Sequence, residues 1–439
     1  MNDKRIFILA ILCCFSLAGF SQEIKQLTLQ EAIELSLKNS KQLKISQARI
    51  DEALAQAEEA KQARLPDLKI SGSYLRLNSA KIDLKSASDS GGSYGGGPKV
   101  NQAIYGMANL SFPVYAGGRI RYGIESAKYL AEAAKLDAES DASDIIFNTT
   151  RAYVNLYKAY ESVILVNENL NSSLSRDSNF SNLEKNGLLA RNDLLKAQLQ
   201  TSNVELALLT AENDFRIATV NMNLMLGLPE TDSLVVDTAF VERLAEAGNF
   251  MDYQNAALQN RMDIKATNLR KKAAEVNIKS ARAEAYPTLA LTGGYVAADI
   301  PKFLTITNAL NIGVGVQYNL ASLWKKNTKL QQARARDREI SATREMLNDE
   351  VKLDINRDYQ NYLLSLKRIE LFEKSLVQAN ENFRITNNKY NNSLVTLTDL
   401  LDADVERLQA KINIATAKAD AVLAYNQLLK TSGLLQTGK

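Results

Sequence analysis

The chain has 439 residues and no histidine. Its 53 basic side chains face 50 acidic ones, for a formal net charge of +3. Its two cysteines, Cys13 and Cys14, lie close to the N-terminus, so most nucleophile–base pairs and most zinc or iron sites are excluded, as is a strongly electrostatic partner such as nucleic acid. Only six prolines and twenty glycines occur, while Ala, Leu, Asn, Gln, Lys and Glu dominate, a composition of long helices.

Residues 1–21 read as a secretory signal peptide: a charged front at Lys4 and Arg5, an apolar run from Ile6 to Ala18, and the small residues Gly19 and Ser21 before a cut. The apolar run is too short to span a bilayer. Leu12 ahead of Cys13 does not suit a lipidation signal, and cleavage before Gln22 would remove both cysteines and with them any disulfide. No later segment has enough continuous apolar residues for a membrane helix.

Residues 27–65 carry apolar positions at helical spacing (Leu29, Ile33, Leu37, Leu43, Ile50, Leu54), and Pro66 ends the helix. Over 68–77 the period becomes two, with Leu68, Ile70, Gly72 and Tyr74 alternating with Lys69, Ser71 and Ser73, which predicts a strand. A Gly/Ser-rich loop is expected over 78–99, then a second strand near 104–115 with Ile104, Gly106, Ala108, Leu110, Phe112 and Val114 on one face. Arg119–Lys185 is one helical pattern. Ile145, Ala152, Leu156, Val163, Leu170 and Leu174 step by sevens and fours, as in a coiled-coil seam. A tip at 186–192 and a return helix to about Leu226 follow, stopped by Gly227 and Pro229.

The programme then restarts. Residues 260–295 repeat 39–74 at a constant offset of 221, so that Pro287 falls on Pro66 and Tyr295 on Tyr74. Strands are expected near 288–297 and 310–320, with a loop over 298–307. The second of these places Leu310, Ile312, Val314, Val316, Tyr318 and Leu320 opposite Asn311, Gly313, Gly315, Gln317 and Asn319. A proline-free helical run enters from Ala321, and another leaves to Leu429. Between them lies a tip near 390–398, where Asn391, Asn392 and Ser393 form the turn and Thr398 and Asp399 begin the next helix. Here the offset is 206: Tyr359 falls on Tyr153, Asp399 on Asp193, Gly433 on Gly227. Asp399 and Asp402 share one helix face, whereas Asp402 falls on Lys196 in the first half. The pattern therefore predicts a signal peptide (1–21) and two repeats (22–228 and 229–439). Each repeat gives helix, two strands, very long helix, tip and return helix.

Strands with one apolar and one Gly/Asn/Gln face suit lipid on one side and water on the other, although a sheet on a soluble core would alternate in the same way. Four strands are too few to close a barrel, since small barrels have about eight. A membrane barrel would need several chains.

At this point the sequence resembles the TolC family of outer-membrane efflux channels over essentially all of 22–439. The resemblance rests on L-T-L-Q-E-A-I-E-L-S-L-K-N-S, on the joins R-L-P-D-L and A-Y-P-T-L, on F-P-V-Y-A-G-G-R, on both tips and on L-G-L-P. It implies a mainly α chain with a small β part that gives four strands to a trimeric, twelve-stranded transmembrane β-barrel. It also implies a long α-helical coiled-coil tunnel in the periplasm, with an equatorial region near 229–256 and the C-terminal end. The implied partners are two further copies, a periplasmic adaptor (membrane fusion) protein, an inner-membrane RND or ABC transporter and outer-membrane lipid. The implied role is the exit duct of a tripartite efflux or type I secretion system, with no catalysis, cofactor or metal.

By the same resemblance, Asp399 and Asp402 match the carboxylates of the periplasmic entrance, where rings of negative charge favour cations. Helix capping is the other role open to Asp399. Asp193 and Tyr390 match members of a latch between the tips, but the family's arginine position holds Val395. Gly187 and Leu188 match an adaptor-docking tip; Ser393 and Leu394 depart from the second tip's Gly-Thr. A soluble periplasmic coiled-coil protein is the alternative that the heptads alone favour. It leaves the two-faced strands and the constant offsets unexplained.

Overall fold

The computed structural model describes residues 25–80, 100–242, 244–301 and 303–435. The expected signal peptide and most of the Gly/Ser loop lie outside them. The chain divides into two compact units, one of Gln47–Asp137 with Asp263–Leu347, the other of the remaining segments.

The single helix expected over 27–65 is two, α1 (Leu29–Asn39) and α2 (Lys41–Gln62). Thr28 caps α1 by accepting from the Glu31 amide at 3.2 Å while the Glu31 carboxylate accepts from the Thr28 amide, a capping box that keeps Leu27 out of the helix. The chain breaks at Ser40 (ψ 122°), whose hydroxyl then accepts from the Leu43 amide at 3.2 Å and restarts the helix. Leu27 instead ends a three-residue strand, β1 (Lys25–Leu27), which pairs in parallel with β4 (Leu234–Val236).

Four longer strands make the second sheet: β2 (Asp67–Ala80), β3 (Val100–Tyr115), β5 (Thr288–Ile300) and β6 (Leu304–Gln317), antiparallel in the order β2-β3-β5-β6. The chain thus holds two short strands beyond the four expected. The strands also run further toward their hairpin ends than expected. β2 continues to Ala80, β3 begins at Val100, and the 298–307 loop shrinks to 301–303 because ladder pairing extends to Ile300–Leu304. The register lines apolar residues across all four strands, for example Ile70–Ala108–Tyr295–Leu310 and Leu68–Leu110–Gly293–Ile312. On β6, Leu310, Ile312, Val314 and Val316 are 72, 78, 65 and 70% exposed. Among the described residues, β2 and β6 each keep one edge unpaired.

In the same unit, α6 (Met262–Ala283) is tied to its helical neighbours α3 (Arg119–Lys185) and α7 (Thr328–Asn391). Ser126 donates to the Ala273 carbonyl, Arg270 pairs with Asp137, and Lys271 pairs with Asp337. The helix expected to enter from Ala321 begins only at Thr328, after a 3-10 turn at Leu320–Leu323 capped by Asn319.

The other unit holds the return helices α4 (Arg191–Leu226) and α8 (Leu397–Thr431), with the short α5 (Phe250–Asn260). Its main core gathers around Tyr153, which is fully buried with Leu27, Leu156, Met222, Leu226 and Val236. Phe240 meets Tyr153 and Tyr157 edge-on, each with ring centroids 5.1 Å apart. The Tyr153 hydroxyl donates to the Leu27 carbonyl at 2.7 Å and accepts from the Asp237 amide at 3.1 Å, which fastens β1 and the segment after β4 to α3. Burial pushes the Tyr153 and Tyr157 hydroxyls up, Tyr157 to about 12. The position 206 residues on, Tyr359, donates to the Gly248 carbonyl at 3.2 Å.

Toward its tip, the buried seam of α3 is not the expected one. Leu174 is exposed, and Val166, Asn169, Ser173 and Phe180 are buried instead. The seam is displaced by one residue along the helix: Asn169 and Ser173 are buried where Leu170 and Leu174 were expected.

Candidate functional site

Two hairpin tips share one unit, and they are built alike. After α3, Gly187 adopts φ 71°, its amide donates to the Glu184 carbonyl at 2.9 Å, and the Leu188 amide donates to Leu183 at 2.8 Å. After α7, Ser393 adopts φ 59°, its amide donates to Tyr390 at 2.9 Å, and the Leu394 amide donates to Lys389 at 2.9 Å. Both are Schellman turns, in which a left-handed residue lets two amides satisfy the last carbonyls of the helix. Glycine takes that conformation freely; serine at the second tip carries strain. Leu188 and Leu394, next in sequence, stand 75 and 72% exposed.

The return helix α8 is capped by Thr396, not Thr398. Its hydroxyl accepts from the Asp399 amide at 3.3 Å, and the Asp399 carboxylate accepts from the Thr396 amide at 2.8 Å and hydroxyl at 2.6 Å. The cap falls two residues early because the reciprocal bond needs the acid at the third helical position. The Thr396 hydroxyl, and then its amide, hold the Asp399 carboxyl below its usual range. Asp402, one turn on, is exposed and has no hydrogen-bond or ion-pair partner among the described residues.

A cleft of about 980 Å³ lies between the tips. Asp193, Tyr390, Val395, Leu188 and Ser393 line it; Asp399, Asp402, Gly187 and Leu394 do not. An apolar floor of Phe180, Leu194, Ala197, Leu397, Leu400 and Leu401 joins the two hairpins, and the Tyr390 ring lies on Phe180 at 5.8 Å. Burial, then the nearby Asp193 charge, push the Tyr390 hydroxyl up, with Arg176 opposing. Among the described residues no hydrogen bond joins Tyr390 to Asp193, whose carboxylate instead has Lys196 4.0 Å away. The structure thus brings Asp193 and Tyr390 into one cleft without bonding them, and Val395 offers neither a donor.

The strongest polar contact at the tips lies among residues that sequence reasoning missed. Asp404 on α8 accepts from Arg176 on α3 at 2.9 Å and from Arg407 at 2.7 Å. Its side chain is 5% exposed and that of Arg176 13%. Arg176 also donates to the Ser173 hydroxyl at 3.0 Å, and the Arg407 guanidinium stacks 3.6 Å over the Phe383 ring of α7. The signal was present in the spacing. Leu397, Leu400, Leu401 and Asp404 fall on one helical stripe, and Arg176 continues the buried stripe of Asn169, Ser173 and Phe180. A charge on an apolar stripe calls for a buried partner.

The described residues thus combine an open four-stranded sheet, apolar and exposed on β6, with long helical hairpins. The comparisons with known proteins agree. The family model described as "Outer membrane efflux protein" matches residues 32–228 and 254–434. The chain is 22% identical to toxin and drug export protein A of Aggregatibacter actinomycetemcomitans, covering 92% of this chain and 85% of that protein. It is also 22% identical to outer membrane protein TolC of Escherichia coli, covering 97 and 86%. Among solved structures, the outer membrane protein VceC of Vibrio cholerae superposes with a TM-score of 0.76 at 20% identity over 92% of this chain and 96% of that one. CusC gives 0.76 at 17% identity over 92% of each. The chain belongs to the outer membrane efflux protein family, and the family places it in the outer membrane.

Proposed function

We propose that three copies of this chain close into an outer-membrane exit duct, opened at the hairpin tips by a periplasmic adaptor and driven by an inner-membrane RND or ABC pump. The observation that carries the reading is the four-stranded sheet with two free edges and an apolar face open to its surroundings. Long hydrophobic edge strands promote uncontrolled pairing in a monomer, whereas β6 of one copy against β2 of the next would remove every edge. Three copies are what the family resemblance implies, giving twelve strands around one lumen. Stripes on the long helices support assembly as well: Leu199, Leu206 and Leu224 on α4 and Met346, Leu353 and Val377 on α7 are all more than half exposed. Each would be covered by a neighbouring copy. The two halves, 22–228 and 229–439, then act as duplicated repeats around that lumen.

In this assembly Asp402, with Asp399, forms rings of carboxylates at the entrance. Asp399 does so while capping its helix, and Asp402 with its charge uncommitted. Gly187 with Leu188 and Ser393 with Leu394 form the adaptor-docking tips, where two exposed leucines supply apolar contact. Asp193 and Tyr390 contribute to the latch between hairpins. The cargo class follows the pump; the name of one relative, a toxin and drug export protein, gives toxins or drugs as one precedent.

The test is extraction and recording. Membranes are washed at high salt after osmotic shock, extracted with detergent, and the protein is sized by native mass and reconstituted in planar bilayers. The proposal expects detergent-dependent trimers that conduct. Protein released by osmotic shock alone, or a monomer that forms no pores, refutes it.

A further inference from the structure

Four ion pairs join α3 to α8, and their order shows that the helices run antiparallel: Asp144–Lys430 at 2.6 Å, Lys158–Asp420, Glu168–Lys411 at 3.5 Å and Arg176–Asp404 at 2.9 Å. The signs alternate along α3 as acid, base, acid, base, and α8 carries the complement. Sliding one helix along the other by a rung would set like charges face to face, so the ladder fixes register. It does not oppose a swing of α8 away from α3 at the tip.

The rungs also differ in burial. Each of the three upper pairs has at least one partner more than a third exposed, in the range where ion pairs contribute little. The rung nearest the tips is enclosed. There one carboxylate ties α3 to α8 through Arg176, and through Arg407 reaches Phe383 on α7. Among the described residues the buried Arg176 Nε has no hydrogen-bond partner, so the node is incompletely satisfied where it stands.

Resting on the channel reading above, we infer that the Arg176–Asp404–Arg407 node is the charged latch that holds the second hairpin against the first, in the role that Val395 leaves vacant. The upper rungs hold register while the tip swings, and the lowest rung is the one that parts. A buried, three-membered pair suits a latch because removing one member uncovers a buried charge, whereas loss of an exposed rung costs little.

The full-length protein is recorded in planar bilayers. Asp404→Asn, which keeps shape and removes charge, is expected to raise open probability about tenfold or more. Lys411→Met, which deletes an exposed rung, is expected to leave it unchanged. Arg407→Met spares the Arg176–Asp404 pair and should give a smaller rise in the same direction, which keeps the test alive if Asp404→Asn fails to fold. In an Arg176→Cys/Asp404→Cys protein, a short bifunctional methanethiosulfonate is expected to lower conductance, and reduction to restore it. Unaltered open probability in both Asp404→Asn and Arg407→Met, or bridging without effect, overturns the latch. If the unaltered protein forms no pores, the channel reading fails and the latch with it; pores in the unaltered protein with indifferent variants sink the latch alone.

Discussion

Val395→Arg examines how much closing force the tips accept. Val395 is half-buried and lines the same cleft as Asp193 and Tyr390, so an arginine there has a carboxylate within the cleft to reach. The Asp193 side chain is 32% exposed and already has Lys196 at 4.0 Å, so the new pair would form in a wet, partly neutralised setting. Pairs of that kind contribute about 0.2–1 kcal/mol, which converts to roughly a 1.4- to 5-fold shift of the open–closed ratio toward closed. The buried Arg176 nearby repels the newcomer and favours the lower end. The assay is single-channel recording of both proteins at one salt concentration, repeated at high salt, where the difference should shrink. In an Asp193→Asn background the effect should vanish. A rise in open probability, or closure that persists without the Asp193 charge, would refute the reasoning, because the arginine would then be acting elsewhere.

Ser393→Gly should relieve the strain of a left-handed serine and stabilise the second tip by about 0.5–1 kcal/mol, with Gly187→Ser costing the first tip a similar amount; hydrogen exchange of the tip amides reads both. Tyr153→Phe should cost about 0.5–1.5 kcal/mol, because the Leu27 carbonyl loses the hydroxyl donor but keeps the Asp237 amide at 3.2 Å, seen as a lower denaturant midpoint. The Asp399 carboxyl sits below its ordinary 3.8 in the folded chain, so its cap contributes fully above about that pH and is lost as the pH falls through the lowered value. Protection factors of the tip amides should therefore fall as the pH drops through that lowered value, and Thr396→Ala should abolish that dependence. Tyr390→Phe should leave the Phe180 ring contact intact and raise conductance if the hydroxyl meets Asp193 in the assembled entrance; unchanged conductance removes Tyr390 from the latch.

Much of the fold was legible because its signals are long. The alternation from Leu310 to Gln317 in β6 outweighs any local ambiguity, and the glycines at 187 and 227 mark turns that only a left-handed residue allows. What was not legible was short or reciprocal. β1 and β4 have three residues each, too few for a period, and each forms only because the other is present. The break at Ser40 depends on a hydroxyl choosing a backbone amide, which serine offers in many places without a break resulting. Thr396 and Thr398 are both good caps by type, and the choice turned on which one Asp399 could answer. Asp404 and Arg176 lie 228 residues apart. The helical stripe marks each as a charge in need of a buried partner, and only the fold puts the two together.

The open edges of the β2–β6 sheet bear on how this protein is made as well as on what it does. In the proposed assembly, a strand edge satisfied only by a neighbouring copy has no folded state of its own in lipid, where unpaired amides have no water to turn to. The stability of the sheet is then a function of how many copies meet, and dilution should unravel it before it touches the cores around Tyr153 and the tips. Biogenesis would follow the same order: helical hairpins first, each chain by itself, and the membrane portion last, completed by the company it keeps.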